Sequence, residues 1–236
     1  MNRNKRLTKE NTIVEAAELT FASVGFSNAT MGEIAQKVGI SKGTVYFYFG
    51  SKENLYMAVV YKAWQLLLEE HYQCLQHSKD LDGLSTTLAL FKSSLTFSET
   101  HPFYFDLIMD YVSIIRSTNK LESSHYQGHD AFIDNLYFRK IQDIDNLPLS
   151  IVTKEIKRGQ EDGSIKNERN PIMIYLSGWA LVTGYVTLNT TNTKTKRSTI
   201  FKVPIEDWRN YTIKIITDML LDQVEAPIYE NEASLT

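Results

Sequence analysis

The sequence predicts an all-α protein of about nine or ten helices, with a small three-helix unit ahead of a larger helical bundle. Apolar residues recur at helical spacing along most of the chain, and capping residues and glycines punctuate that pattern at regular intervals. No segment alternates convincingly as a strand, apart from a short piece near residues 200–203.

The first helix is marked by Ile13, Ala16, Ala17, Thr20, Phe21 and Val24 at i, i+3, i+4, i+7, i+8 and i+11, with Gly25 suited to end it. Thr30 and Glu33 then stand three apart, the spacing of a capping box. The helix they open carries Ile34, Ala35 and Val38 on one face, and Gly39 can leave it with positive φ. Ser41 is a suitable N-cap for a third helix, whose inward residues are Val45 and Phe49 at i and i+4. Gly50 stops that helix and Ser51 caps the next. Two short helices joined by a glycine-bearing turn over about residues 30–49 form a helix-turn-helix.

With Val45 and Phe49 turned inward, Lys42, Gly43, Thr44, Tyr46 and Tyr48 are left on or near the open face. Lysine can pair with phosphate or with guanine O6 and N7, and threonine can bond a base edge or meet a thymine methyl. A glycine lets backbone approach closely. Tyrosine hydroxyls can donate to phosphate oxygens. Lys52, at a helix N-terminus, adds charge to amides suited to hold a phosphate. The N-terminal Arg3, Lys5, Arg6 and Lys9 form a basic arm that can lie along phosphates or in the minor groove, or be a solvated terminus.

At this point the chain resembles a known family. Residues of roughly 7 to 60 are similar to the DNA-binding domain of TetR-family bacterial repressors. The likeness runs through Ile13 to Ala17, Phe21 to Phe26, Thr30, Ile34-Ala35, Val38 to Tyr46, Phe49 and Ser51 to Leu55. It implies DNA contacts by Thr30, Lys42, Gly43, Thr44, Tyr46, Tyr48 and Lys52, with the capping Ser41 beside them. Tyr48 stands where a histidine is frequent, so a phosphate contact carries over and a base preference does not. The domain division that follows is a DNA-binding domain over 1–51, an effector-binding and dimerisation domain over 52–225, and a loose tail over 226–236. A helix from about 52 to 76 joins the first two.

The formal charge of −3 conceals a split, net +3 over residues 1–62 and −6 over 63–236. A positive end facing DNA and a negative remainder held off it fit that split. The single cysteine, Cys74, excludes an intrachain disulfide and suits a reducing cytoplasm, where the protein is expected. The first ten residues are charged and lack an apolar signal core. The longest apolar stretch, Ile174 to Leu188, is too short and too interrupted to span a membrane, so no membrane partner is expected.

Further helices are expected over Leu84–Glu99, Pro102–Arg116, about Tyr126–Ile144, Leu147–Glu161, Pro171–Leu188 and Ile205–Val224, with a Thr- and Lys-rich loop from Asn189 to Pro204. The last two helices are apolar on more than one side. The resemblance implies that such a pair from each subunit forms a four-helix homodimer interface; candidates are Tyr175, Trp179, Val182, Trp208, Ile216 and Leu220. Gly178 and Gly184 would let a partner helix approach. The resemblance also implies a pocket for a small, often apolar effector among the middle helices. His101, Phe103, Phe105, Tyr111, Trp179 and Tyr185 are the candidate lining, though aromatic residues at helical spacing also build ordinary cores. His125 and His129 share a helix face at a spacing compatible with a metal, but no third ligand is fixed nearby, and neither metal nor cofactor is expected.

An enzyme is the competing class. There is no G-x-S-x-G, no Walker loop, no G-x-G-x-x-G after a strand and no Cys–His arrangement. The expected function is a homodimeric repressor that binds a near-palindromic double-stranded operator and is released by a small apolar or amphipathic effector. The alternative is a ligand-independent dimeric regulator acting by occupancy or through a protein partner.

Overall fold

The computed structural model describes residues 3–118, 132, 136–194 and 203–223, and every regular element among them is a helix. In chain order these are α1 (Arg3–Asn28), α2 (Met31–Val38), α3 (Lys42–Phe49), α4 (Lys52–His77) and α5 (Gly83–Thr100). They continue as α6 (Pro102–Thr118), α7 (Leu136–Gln142), α8 (Leu147–Asp162), α9 (Pro171–Lys194) and α10 (Ile205–Leu220). The short strand anticipated near 200–203, the early part of the helix expected from Tyr126, His125, His129 and the tail after residue 226 fall on or overlap residues outside those described.

The stop expected at Gly25 is present, whereas α9 and α10 end elsewhere than expected, α10 at Leu220 instead of Val224. Gly25 has φ 76° and ψ 164°, so α1 is kinked there and its last residues form a separate piece before Thr30. Helix α9 runs to Lys194 instead of stopping at Leu188. Its C-terminal half is polar but contains neither proline nor glycine after Gly184. Thr187 folds its hydroxyl back onto the Thr183 carbonyl at 2.8 Å.

The described chain divides into two compact units, Met1–Glu70 with Phe97–Pro148, and His71–Thr96 with Leu149–Thr236. The division passes through α4 and α5. In the first unit Ile13, Ala17, Ile34, Val45, Leu55, Met57, Val59, Val60 and Ala63 have no exposed surface. Each large side chain so buried contributes about 1.5–3 kcal/mol, and together they clamp α1 to α3 onto α4.

In the second unit Leu90, Leu95, Ile156, Val182, Ile216 and Leu220 form the sealed core. The turn after α8 closes on Gly163, at φ 76°, and its Ile165 amide returns to the Gly159 carbonyl at 2.9 Å. Lys166 and Asn167 then donate their amides to the Leu220 carbonyl, each at 3.1 Å, which satisfies the open end of α10. Arg158 reaches Glu155 at 2.7 Å, the Leu81 carbonyl at 2.9 Å and the Thr86 hydroxyl at 2.9 Å, tying α8 to the start of α5.

At that junction Gly83 lies against the backbone of Gly159, and a Cβ on Gly83 would overlap it. Neither partner is a side chain that can move aside. Gly83→Ala is therefore expected to destabilise the protein by about 1–3 kcal/mol, read as a lower urea midpoint. An unchanged midpoint would show that the two helices can separate at no cost.

Candidate nucleic-acid interface

The helix-turn-helix is built by local hydrogen bonds. Thr30 Oγ1 accepts the Glu33 amide at 3.2 Å, and the Glu33 carboxylate accepts the Thr30 amide at 2.9 Å, completing the capping box. Gly39 adopts φ 66° and ends α2, donating its amide back to the Gln36 carbonyl. Ser41 Oγ accepts the Thr44 amide at 3.1 Å and opens α3, and Gly50, at φ 71°, ends it. Val45 and Phe49 are buried beneath.

Their burial turns the rest of α3 outward. Lys42, Gly43, Tyr46 and Phe47 are exposed, while Thr44 and Tyr48 are half-buried. Lys42 places its ammonium 5.8 Å from the Tyr46 ring, one helical turn away, a pairing that holds both side chains over one patch. The Thr44 hydroxyl is 2.8 Å from Ser41 Oγ, so it shares in the cap while its methyl remains available. Thr30 is exposed at the start of α2.

Sequence reasoning passed over Phe47, although it is 75 % exposed on the same face. The signal was there, because a residue two places from each of Val45 and Phe49 is rotated far from the buried side. An aromatic beside a buried phenylalanine is easily read as more core.

The structure gives Lys52 a different set of partners from the phosphate expected of it. Its ammonium donates to the carbonyls of Phe26 at 2.9 Å, Ala29 at 3.1 Å and Ser27 at 3.4 Å, and lies 4.4 Å from the Phe26 ring. Its proton donors are thus directed at the last turn of α1 and at Ala29 just beyond it. The basic N-terminal residues also differ from a free arm, since α1 already begins at Arg3 and Arg6 pairs with Glu10 at 3.0 Å.

The remaining contacts of this unit tie α1 to α4 and α6, α4 to α6, and α3 to α7. Glu18 of α1 accepts from Tyr104 and from Lys62, both at 2.6 Å. That carboxylate and the hydroxyl beside it outweigh burial and raise the Lys62 pKa, whereas burial first and then Glu18 raise that of Tyr104. Tyr56 of α4 donates to Asp110 of α6 at 2.5 Å, and burial with this carboxylate pushes the phenol far above its ordinary range. Tyr137 of α7 stacks on Phe49, with centroids 6.1 Å apart.

The effector candidates are divided between the two units. His101, Phe103, Phe105 and Tyr111 belong to the first unit, and Trp179 and Tyr185 to the second. Phe105 and Tyr111 are buried, His101 is exposed, Trp179 stacks on Tyr175 and Tyr185 packs on Trp208 at 4.9 Å. A groove of about 390 Å³ in the first unit is lined instead by residues including Val14, Tyr61, Tyr137 and Lys140. Near Tyr111, the buried Trp64 Nε1 and Asp145 Oδ1 have no hydrogen-bond partner among the described residues. Tyr111 donates to the other Asp145 oxygen at 2.9 Å, and burial raises the Asp145 pKa.

Among the dimer candidates, Val182, Ile216 and Leu220 have no exposed surface and Tyr175 is buried, so their apolar area is spent within the single chain. Trp179 and Trp208 are half-buried. The apolar surface left on α9 is a different row, Ile172, Leu176, Ala180, Gly184 and Leu188, all exposed at i, i+4 spacing, with Met173 beside it and Tyr211 exposed on α10. Gly178 faces inward, where an added Cβ would come within 2.5 Å of the Phe91 ring, whereas one on Gly184 would meet open space.

Two roles for Lys52 make opposite predictions. If its ammonium serves the carbonyls, Lys52→Ala lowers stability by about 1.5–3 kcal/mol and leaves the log–log salt slope of DNA binding unchanged. A phosphate role would leave stability alone and flatten that slope by about 0.9. Thermal unfolding and a salt titration of binding decide between them.

Residues 13–59 match the family described as bacterial regulatory proteins, tetR family. The chain is 26% identical over 179 residues to the biofilm operon icaADBC HTH-type negative transcriptional regulator IcaR of Staphylococcus aureus, covering 73% of this chain and 82% of that one. In fold it is similar to a protein of unknown function from Rhodococcus sp. RHA1, with a TM-score of 0.67, 14% identity and coverage of 90% and 95%. It is also similar to the transcriptional regulator FadR from Bacillus subtilis in complex with stearoyl-CoA, with a TM-score of 0.58, 17% identity and coverage of 88% and 97%. The matched segment holds both capped helices and the exposed face of α3, so residues 13–59 form a DNA-binding domain of the tetR-family type, and the chain resembles transcriptional regulators that carry it.

Proposed function

We propose that this regulator is a cytoplasmic homodimeric repressor of a near-palindromic operator, released when a small apolar or amphipathic molecule binds. The observation that carries the reading is the outward face of α3, where Lys42, Gly43, Thr44, Tyr46 and Tyr48 surround a helix held rigidly by Val45 and Phe49. One such helix reads only a few base pairs. Two related by a two-fold axis read half-sites about 34–36 Å apart, or a multiple of that. The sign of regulation is supported by the S. aureus relative, which is named a negative regulator.

The exposed ridge of α9 supports pairing. Residues 171–189 have a mean hydropathy of 1.4 yet are only 33% buried, which by length and composition alone would also satisfy a membrane span. In a chain whose first unit reads DNA, a second copy is the occupant that fits. Close approach at Gly184 lets two α9 helices cross with their ridges engaged.

The effector reading rests on the core of the first unit, and its chemistry is supported by the ligand of the B. subtilis structure. Trp64 Nε1 on α4 supplies a donor and Asp145 Oδ1, in the turn after α7, an acceptor, buried polar atoms of the kind that orient a small molecule. Occupancy there would act through α6, whose Tyr104 and Asp110 hold α1 and α4 directly. A molecule that prefers one arrangement shifts the population toward it, and reversing 99:1 operator occupancy needs about 5.5 kcal/mol of differential affinity.

Selecting bound fragments of the source genome, then screening small molecules for loss of that binding, tests the whole reading. Recovery of no preferred sequence overturns the repressor, and failure of every ligand class to release it overturns the sensor. Leu176→Arg should produce monomers by sedimentation and abolish tight operator binding while leaving the fold intact. Lys42→Ala should weaken binding to all duplexes and reduce the salt slope by about 0.9 if its ammonium meets a phosphate, or relax one base position if it meets guanine.

A further inference from the structure

We propose that Phe47 is a specificity-determining residue of this regulator, one that recognises the C5 methyl group of thymine in the operator; the inference rests on α3 being the helix that reads DNA. At 75 %, Phe47 is more exposed than any other large apolar side chain among the described residues, and it stands on the face opposite buried Val45 and Phe49. Leaving three-quarters of a phenyl ring in water forgoes most of the stabilisation that its burial would give. The neighbouring positions define what surrounds it. Gly43, one turn earlier, has no side chain, and a Cβ added there would meet only the Ser41 hydroxyl, at 3.8 Å. The ring therefore projects beside open backbone. Tyr48 meets it edge to face, with centroids 5.6 Å apart and planes at 89°, which limits its rotation before any DNA arrives.

Chemistry then narrows its target. The polar side chains of this face can address phosphates and the hydrogen-bonding edges of bases, whereas a phenyl ring has neither donor nor acceptor. In the major groove the thymine methyl is the one apolar group that the base edges present. Apolar burial favours bringing the two together, and the benefit vanishes at a base without the methyl. Phe47 thus adds a large hydrophobic element to a face whose other contacts, the Thr44 methyl aside, are polar.

The experiment changes the DNA first, so it does not depend on how a variant folds. Sequences bound by the full-length protein are selected from a random duplex library, and each thymine of the consensus is replaced singly by deoxyuridine, which lacks only the methyl. One position in each half-site is expected to lose about fourfold in affinity, the scale of one buried methyl group. Phe47→Ala should be indifferent to that same substitution and accept other bases there, with an unchanged melting temperature because the ring is exposed. Absence of any deoxyuridine-sensitive position, or equal sensitivity in Phe47→Ala, overturns the proposal. So does a uniform loss by Phe47→Ala on all sequences, which would place the ring against the sugar–phosphate backbone. Failure to select any sequence would instead remove the DNA-reading role on which the inference stands.

Discussion

Burial of Val45 and Phe49 is the constraint on which the DNA-facing chemistry depends. An eight-residue helix has little stability of its own, since nucleating a helix is costly and propagation has only two turns in which to repay it. It persists because two side chains one turn apart are fully withdrawn from water, and because Ser41 and Gly50 close its ends. The same two side chains fix its rotation. Every outward group, from Lys42 to Tyr48, has its direction set by what lies underneath.

Much of this was legible in the sequence for a local reason. The capping box at Thr30 and Glu33, the positive φ at Gly39 and the N-cap at Ser41 all involve residues three or four apart, so spacing alone carries the information. The exits of α1 and α9 were less legible. Gly25 was recognisable as a stop, but the separate piece after it depends on Lys52, 26 residues later. The extension of α9 to Lys194 runs through a polar, threonine-rich composition that does not distinguish a helix from a loop.

The candidate sites of the later helices show the same limit more clearly. Apolar residues all round α9 signalled two buried surfaces, yet periodicity could not say which was internal. The structure assigns Tyr175 and Val182 to the chain's own core and leaves Ile172, Leu176 and Leu188 outside. Aromatic residues were named for a pocket by abundance, whereas the atoms that set polar chemistry near Tyr111 belong to Trp64 and Asp145. Lys52 illustrates the converse. Its charge at a helix start suggested an anion, but the carbonyls freed where α1 ends were a partner that only folding brings near.

That lysine has a mechanical consequence. By holding the carbonyls of Phe26, Ser27 and Ala29, the first residue of α4 is riveted to the stretch that leads into α2. A tilt of this end of α4 would then carry the helix-turn-helix with it as one stiff body. A regulator built on such a joint would give its signal as an angle, with the reading surface itself unaltered. Each half of a paired operator would keep its intrinsic affinity for one subunit, and what an effector would remove is the simultaneous fit of both.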